Sequence, residues 1–166
     1  QFFWNDLCDN YLEIVKDRLY KPDVYGEAAR ISGLWTTKTV FENVIRLFAP
    51  YVPYVTETLY QFFFKEDGLT SVHKASWPNP NEEFVADVVI GDVAVEVVSS
   101  VRRQKAEAGV SLAKELETLT VTCTAEQQTA LEPFLMDVKG ATKAAEIVFE
   151  TGDELKITIV VAKDEE

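Results

Sequence analysis

The 166 residues are 47% apolar and 11% aromatic, enough to pack a core and too many for wholesale disorder. Sixteen Lys and Arg against 28 Asp and Glu leave a net charge of -12, which speaks against indiscriminate nucleic-acid binding because phosphates demand local positive charge. No apolar run of about 18 residues occurs, so no membrane span is expected; Cys8 and Cys123 lack CxxC spacing and fit buried, unpaired thiols in a reducing cytoplasm.

The chain opens on Gln1 and three consecutive aromatics with no initiator Met, the start expected of a piece of a longer polypeptide. Charged residues interrupt this stretch throughout, so it does not read as a signal peptide. Phe3, Leu7, Tyr11, Ile14 and Val15 recur at steps of three and four, which predicts a first helix with one face against protein. Lys21, Pro22 and Asp23 end it, since proline cannot continue a helix. After Tyr25 and Gly26 a second helix is predicted from about Glu27 to Phe48, burying Ile31, Leu34, Thr37 or Lys38, Phe41, Val44, Ile45 and Phe48. Ala49 and Pro50 stop it, and Pro53 suits the first turn of a third helix with Val55, Leu59, Phe62 and Phe63 inward. Lys65, Glu66, Asp67 and Gly68 read as a turn.

Residues 71–78 are too short for a helix and read as an extended segment laid across the bundle, with Trp77 as anchor. A fourth helix is predicted from near Glu82 to about Glu107, carrying Phe84, Val88, Val95, Val98 and Val101, with Gly91 a weak point and Gly109 the cap. From Leu116 to Cys123 the period changes to two, a strand. A helix follows from Ala125 to about Lys139, interrupted by Pro133. Strands at Glu146 to Glu150 and Leu155 to Ala162, joined by a turn at residues 151–154, read as a hairpin. The fold class is therefore mainly α: a helical bundle over residues 1–112 and a small α/β appendage of order β-α-β-β over residues 113–166. Residues 1–111 hold 11 Lys and Arg against 16 Asp and Glu, the remainder 5 against 12, so the bundle is the less acidic part.

Candidate chemistry is sparse. Asp6, Asp9 and Glu13 share one side of the first helix, but no histidine joins them and a single helix face rarely completes a hard-cation shell, so a solvated surface is expected and no metal. His73 is the only histidine and lacks a nucleophile context, so it reads as structural. No catalytic constellation and no glycine-rich phosphate loop are present. Arg102, Arg103 and Lys105 form the densest basic cluster. Three cations at a helix end either complement the helix dipole or contact phosphate, and pattern alone weighs these equally. Lys16, Arg18 and Lys21 form a looser cluster, with Arg18 at the edge of the apolar stripe, where an intramolecular ion pair is equally open.

Four stretches carry a resemblance to a known family. Residues 4–16, WNDLCDNYLEIVK, resemble the signature helix of the anticodon-binding domain of valyl-tRNA synthetases, with Trp4, Cys8, Asp9 and Tyr11 as its marks. Residues 44–60, VIRLFAPYVPYVTETLY, residues 72–78, VHKASWP, and residues 101–112, VRRQKAEAGVSL, resemble further segments in the family's order. The match spans about residues 2 to 112. Cys8 and Asp9 separate the valyl pattern from the isoleucyl and leucyl ones, which share the later stretches. Tyr54 stands where the family often has His, and Asn10 where some members have Trp.

The resemblance implies the anticodon-binding helical bundle of a class I synthetase, an enzyme that uses ATP with Mg to attach valine to its tRNA. It implies upstream catalytic and editing domains that this stretch lacks, so the chain alone is expected to be inactive and to carry no cofactor. Valine tRNA and the upstream catalytic domain are the implied partners. RNA loops are read by stacking on aromatic or Arg planes and by cations on the backbone, which makes Lys16, Arg18, Lys21, Arg102, Arg103 and Lys105 the candidate contacts. The rivals are an isoleucyl- or leucyl-type domain, or a helical protein-interaction module from a non-catalytic paralogue. A positive groove between the first and fourth helices favours RNA, a bare apolar patch a protein partner.

Overall fold

The computed structural model describes residues 1–64, 70–80 and 88–163. The chain enters through a π-helical segment, Phe2–Tyr11, whose wider winding closes on the Leu12 N–H to Leu7 carbonyl bond. It continues as α1, Leu12–Tyr20, then a short α2, Pro22–Tyr25, opened by the proline that ends α1. Helices α3, Glu27–Phe48, α4, Pro53–Phe63, and α5, Val88–Glu107, follow. Strand β1, Leu116–Cys123, leads to α6, Ala125–Leu131, and α7, Leu135–Thr142, and then to β2, Ala144–Thr151, and β3, Lys156–Val161. Pro133 breaks the predicted single helix: a 3-10 turn at Glu132–Phe134 separates α6 from α7. The expected turn at Lys65 to Gly68, the start of the fourth helix near Glu82 and the inward Phe84 and Val88 lie outside the residues and side chains described.

Two cores organise the packing. In the first, Ile45 and Ala49 of the α3 end meet Tyr60 and Phe64 at the α4 end and Val72, with Phe41 and Leu59 packed against them. In the second, Ala94, Val97, Val98 and Val101 of α5 cover a sheet face made by Leu116, Leu119, Val121 and Ile157, and Ile14 of α1 leans on its edge. Glu57 ties residues 70–73 to α4. Its carboxylate accepts from Ser71 Oγ at 2.9 Å and Val72 N–H at 3.0 Å. Hydrogen bonding from Gln61 first, opposed by burial and joined by these two bonds and His73, lowers its pKa from the ordinary carboxylate value.

Several sequence expectations need correction. Trp77 does not anchor its segment: it is 62% exposed, and Val72 is the buried residue there. The buried face of α4 is displaced by one position, with Thr56 and Tyr60 inward and Val55, Phe62 and Phe63 outward. Thr56 pays no polar penalty, because its hydroxyl donates to the Val52 carbonyl at 2.9 Å. Along the first half of α3, Gly33 rather than Ile31 or Leu34 faces α1, lying against Val15 and Leu19, so Ile31, Leu34 and Trp35 remain exposed. Cys8 is half-buried rather than buried, and both thiols are free.

The hairpin expectation fails as well. The sheet order is β2-β1-β3, with β2 parallel and β3 antiparallel to β1. A short connection cannot bring β3 beside β2 when β1 occupies that edge, so residues 152–155 pass over the end of β1 instead. Gly152 allows the passage: its N–H donates to the Cys123 carbonyl at 3.0 Å, and a Cβ there would lie 2.6 Å from Thr122 Cγ2.

Two glycines on helices test this packing in opposite directions. A Cβ on Gly140 would stand 2.6 Å from Tyr25 Oη and 2.9 Å from Asp17 Cβ, whereas one on Gly91 meets nothing within 4 Å. Gly140→Ala is expected to cost about 1–3 kcal/mol by forcing α7 from α1. Gly91→Ala is expected to gain up to about 1 kcal/mol from helix propensity. Urea unfolding followed by circular dichroism reads both.

Candidate nucleic-acid interface

A groove of about 630 Å³ runs between the first helical stretch and α5, walled by Asp9, Glu13 and Lys16 on one side and Val101, Arg102 and Lys105 on the other. Its floor is the end of α7. The helices take this arrangement because α1 is clamped to α7: Arg18 donates from Nε to Asp137 Oδ1 at 3.0 Å and from its terminal nitrogen to Oδ2. Asp137 is buried, so this two-pronged pair holds a charge that would be costly alone. Tyr25 adds a bond from its hydroxyl to the Met136 carbonyl at 2.8 Å.

The six candidate cations separate into distinct situations. Lys16 is exposed and pairs with Glu13 at 2.5 Å within its own helix. Lys21 is exposed and donates to Asp17 at 2.7 Å. Both pairs are at a surface where such contacts are weak and exchangeable. Arg102 reaches across the groove to the Asp9 carbonyl, leaving the rest of its guanidinium available. Arg103 is exposed and has no partner among the described residues. Arg18, by contrast, is committed to Asp137, as the ion-pair alternative for it anticipated.

Lys105 leaves the set of contacts. It is 1% exposed, and its ammonium donates to the carbonyls of Leu112 at 3.1 Å, Lys114 at 2.6 Å and Thr142 at 2.9 Å. All three of its donors are used, so none remains for a phosphate. Burial first, and the charge of Lys143 second, lower its pKa from the usual lysine value. The dipole account for this cluster is thus met at an unexpected helix, since the carbonyl of Thr142 closes α7 rather than α5.

Asp17 is the carboxylate about which the groove's cations gather. Burial works to raise its pKa, but hydrogen bonds and charge from Lys21 and Lys143 prevail, and the net shift is downward from 3.8. Asp6, Asp9 and Glu13 are exposed, and among the described residues no group of three or more His, Cys, Asp or Glu is placed to hold a metal ion. No chemical step is assigned to these residues. No described helix is long and apolar enough to cross a membrane.

Sequence reasoning missed an aromatic set. Tyr54 at the start of α4 is 87% exposed, and Tyr51 and Trp35 also face out. Trp4 of the signature helix is exposed, whereas Tyr11 points inward to Thr37, 3.5 Å away, and Cys8 lines the groove beside Asp9. The tight turn between Pro50 and Pro53, which carries Tyr51 and leads into Tyr54, was the available signal for these two rings.

Lys105→Met is expected to destabilise the fold by about 3 kcal/mol, because three carbonyls lose their donor, while Lys16→Gln stays within about 0.5 kcal/mol; urea midpoints distinguish them. Tyr25 provides a pH test. Burial, then the charges of Asp137 and Asp17, push its phenol up to about 12. Because the folded value exceeds the unfolded 10.0, the stability this adds is complete below pH 10 and is lost as pH rises toward 12. Tyrosinate absorbance should show a phenol ionising above the usual 10.0, and Tyr25→Phe should remove one such component.

Comparison with known proteins gives the family of the chain. Residues 1–120 match the family model for the anticodon-binding domain of tRNA ligase, and the chain belongs to that family. It is 38% identical to the valine–tRNA ligase of Methanopyrus kandleri over 92% of this chain and 17% of that protein. It is 39% identical to the valine–tRNA ligase of Thermobifida fusca over 97% of this chain and 18% of the relative. Against that of Haloarcula marismortui it is 40% identical over 72% of this chain and 12% of the relative. The chain thus spans less than a fifth of the length of these relatives.

Proposed function

We propose that this anticodon-binding domain is the tRNA-gripping region of a valine–tRNA ligase, whose remaining length activates valine with ATP and Mg and esterifies it to valine tRNA in the cytoplasm. The family match over residues 1–120 carries the reading, and the relatives named as valine–tRNA ligases supply the amino acid. No residue of this chain does chemistry. Its work is to hold the distant end of a long substrate so that the acceptor end sits in an active site elsewhere, which is orientation supplied as binding energy.

The groove supports a division of labour among the candidates. Lys16, Lys21, Arg102 and Arg103 meet the sugar–phosphate backbone, where exposed ammonium and guanidinium groups exchange a weak surface pair for a phosphate. Arg18 and Lys105 hold the helices that present them. Trp4, Tyr51 and Tyr54 are exposed rings on which an unstacked base can lie, in the manner of single-stranded RNA recognition. The outward apolar faces of α3 (Ile31, Leu34, Trp35) and α4 (Val55, Phe62, Phe63) pack on the upstream catalytic domain, which would cover these exposed side chains. The division at residue 112 is one of sequence: it leaves α5 in the bundle while its valines cover the sheet of residues 113–166.

Binding of the chain to a valine tRNA transcript and to an unrelated tRNA, across a salt series, tests the proposal. The expected outcome is tighter binding to valine tRNA, with log K falling linearly against log salt at a slope of roughly -3, from about four phosphate contacts. Weak, salt-insensitive and equal binding to both would contradict it. No aminoacylation by the chain alone is expected.

A further inference from the structure

The groove does not end at Lys16. A second hollow of about 340 Å³ adjoins it, sharing Asp17, Gly140 and Lys143, and is bordered by Lys21 and Tyr25 on one side and Lys139 and Glu115 on the other. Together the two hollows are lined by six Lys and Arg against four Asp and Glu, an excess of two positive charges in a chain whose total is -12. Local positive charge on an acidic protein is the pattern that attracts a polyanion to one face and repels it elsewhere. Two of these six cations, Lys139 and Lys143, lie outside the sequence clusters because they belong to the appendage.

We propose that the appendage is part of the RNA-binding surface, with Lys139 and Lys143 continuing the phosphate track begun by Lys16, Lys21 and Arg102. Lys139 lies on the exposed side of α7 and has no partner among the described residues, so its ammonium offers three free donors. Lys143 sits at the end of α7 with φ of 59°, a left-handed position that glycine or asparagine occupies more readily. Its carbonyl is fixed by the Leu116 N–H at 2.9 Å, and its ammonium hangs over Asp17 at 3.0 Å. A glycine would meet the backbone requirement better, and the lysine adds a charge in the groove. Asp17 satisfies one donor of Lys143 and one of Lys21, and each retains two for phosphate oxygens. Lysines held by one shared carboxylate are pre-positioned without being neutralised, as two positive charges face a single negative one.

The inference rests on the tRNA-binding reading, and its test separates the two. The unmodified chain, Lys139→Gln, Lys139→Gln with Lys143→Asn, and Lys156→Gln are compared for binding to the valine tRNA transcript over a salt series. Lys156 is exposed on β3 and borders neither hollow. Asparagine is chosen at residue 143 because it tolerates the left-handed backbone, and circular dichroism checks each fold. The expected result is a salt slope reduced by about 1 for Lys139→Gln and by about 1.5 for the double variant, whose Kd rises about tenfold at low salt. Lys156→Gln should stay within about twofold of the parent. If the double variant unfolds, Lys139→Gln alone decides. Strong binding by the parent with an unchanged slope in Lys139→Gln, or an equal loss in Lys156→Gln, overturns the role of the appendage while leaving the tRNA reading intact. Absence of binding by the parent overturns that reading and this inference with it.

Discussion

One ammonium group holds the two halves of this protein in register. Lys105 enters the interior at the end of α5 and satisfies carbonyls from the linker at Leu112 and Lys114 and from the end of α7 at Thr142. Removing a charge from water costs several kcal/mol, and only complete hydrogen bonding offsets it. The geometry therefore tolerates little slack: the linker must curl back over the helix end, and α7 must finish where it does. The turn after α5 meets this demand through Gly109, at φ of 68°, and through the Val110 N–H bonded to the Lys105 carbonyl at 2.8 Å.

With α7 fixed in this way, α1 follows. Arg18 closes on the buried Asp137, Asp17 gathers Lys21 and Lys143, and Gly140 lets the helices approach to contact distance. The signature helix is thus seated between the bundle and the appendage rather than within the bundle alone. Its polar edge, with Lys16 and Lys21, is turned toward a groove whose opposite wall is α5 and whose floor is α7. The two hollows carry six Lys and Arg against four Asp and Glu in a chain of net charge -12. Binding at a distance from chemistry needs this kind of rigid support, since slack in the grip becomes misplacement at the reacting end.

How much of this could be read from residues alone depends on the type of signal. The bounds of α3 and β1 follow from proline, glycine and the change of period from 3.6 to two, because these are local backbone preferences. Which face of α4 turns inward did not follow, because aromatics occur all round that helix and periodicity cannot choose among them. Tyr60 and Phe64 are in and Phe62 is out. The hairpin misreading has a similar cause. A four-residue turn between two strands looks the same whether they pair or straddle a third, and only the place of β1 decides.

The sequence by itself determined the helices, the strands, the family and the clusters of cations, all of which are written in neighbouring residues. The tertiary structure alone decided where those cations lie and what they bond. Arg102, Arg103 and Lys105 are equivalent on paper. Folded, one bridges the groove, one faces water and one is buried among carbonyls. The reason is physical: a charged side chain takes its role from the dielectric and the donors and acceptors around it, and these come from segments as far as 37 residues away in the chain for Lys105 and 93 for Arg102.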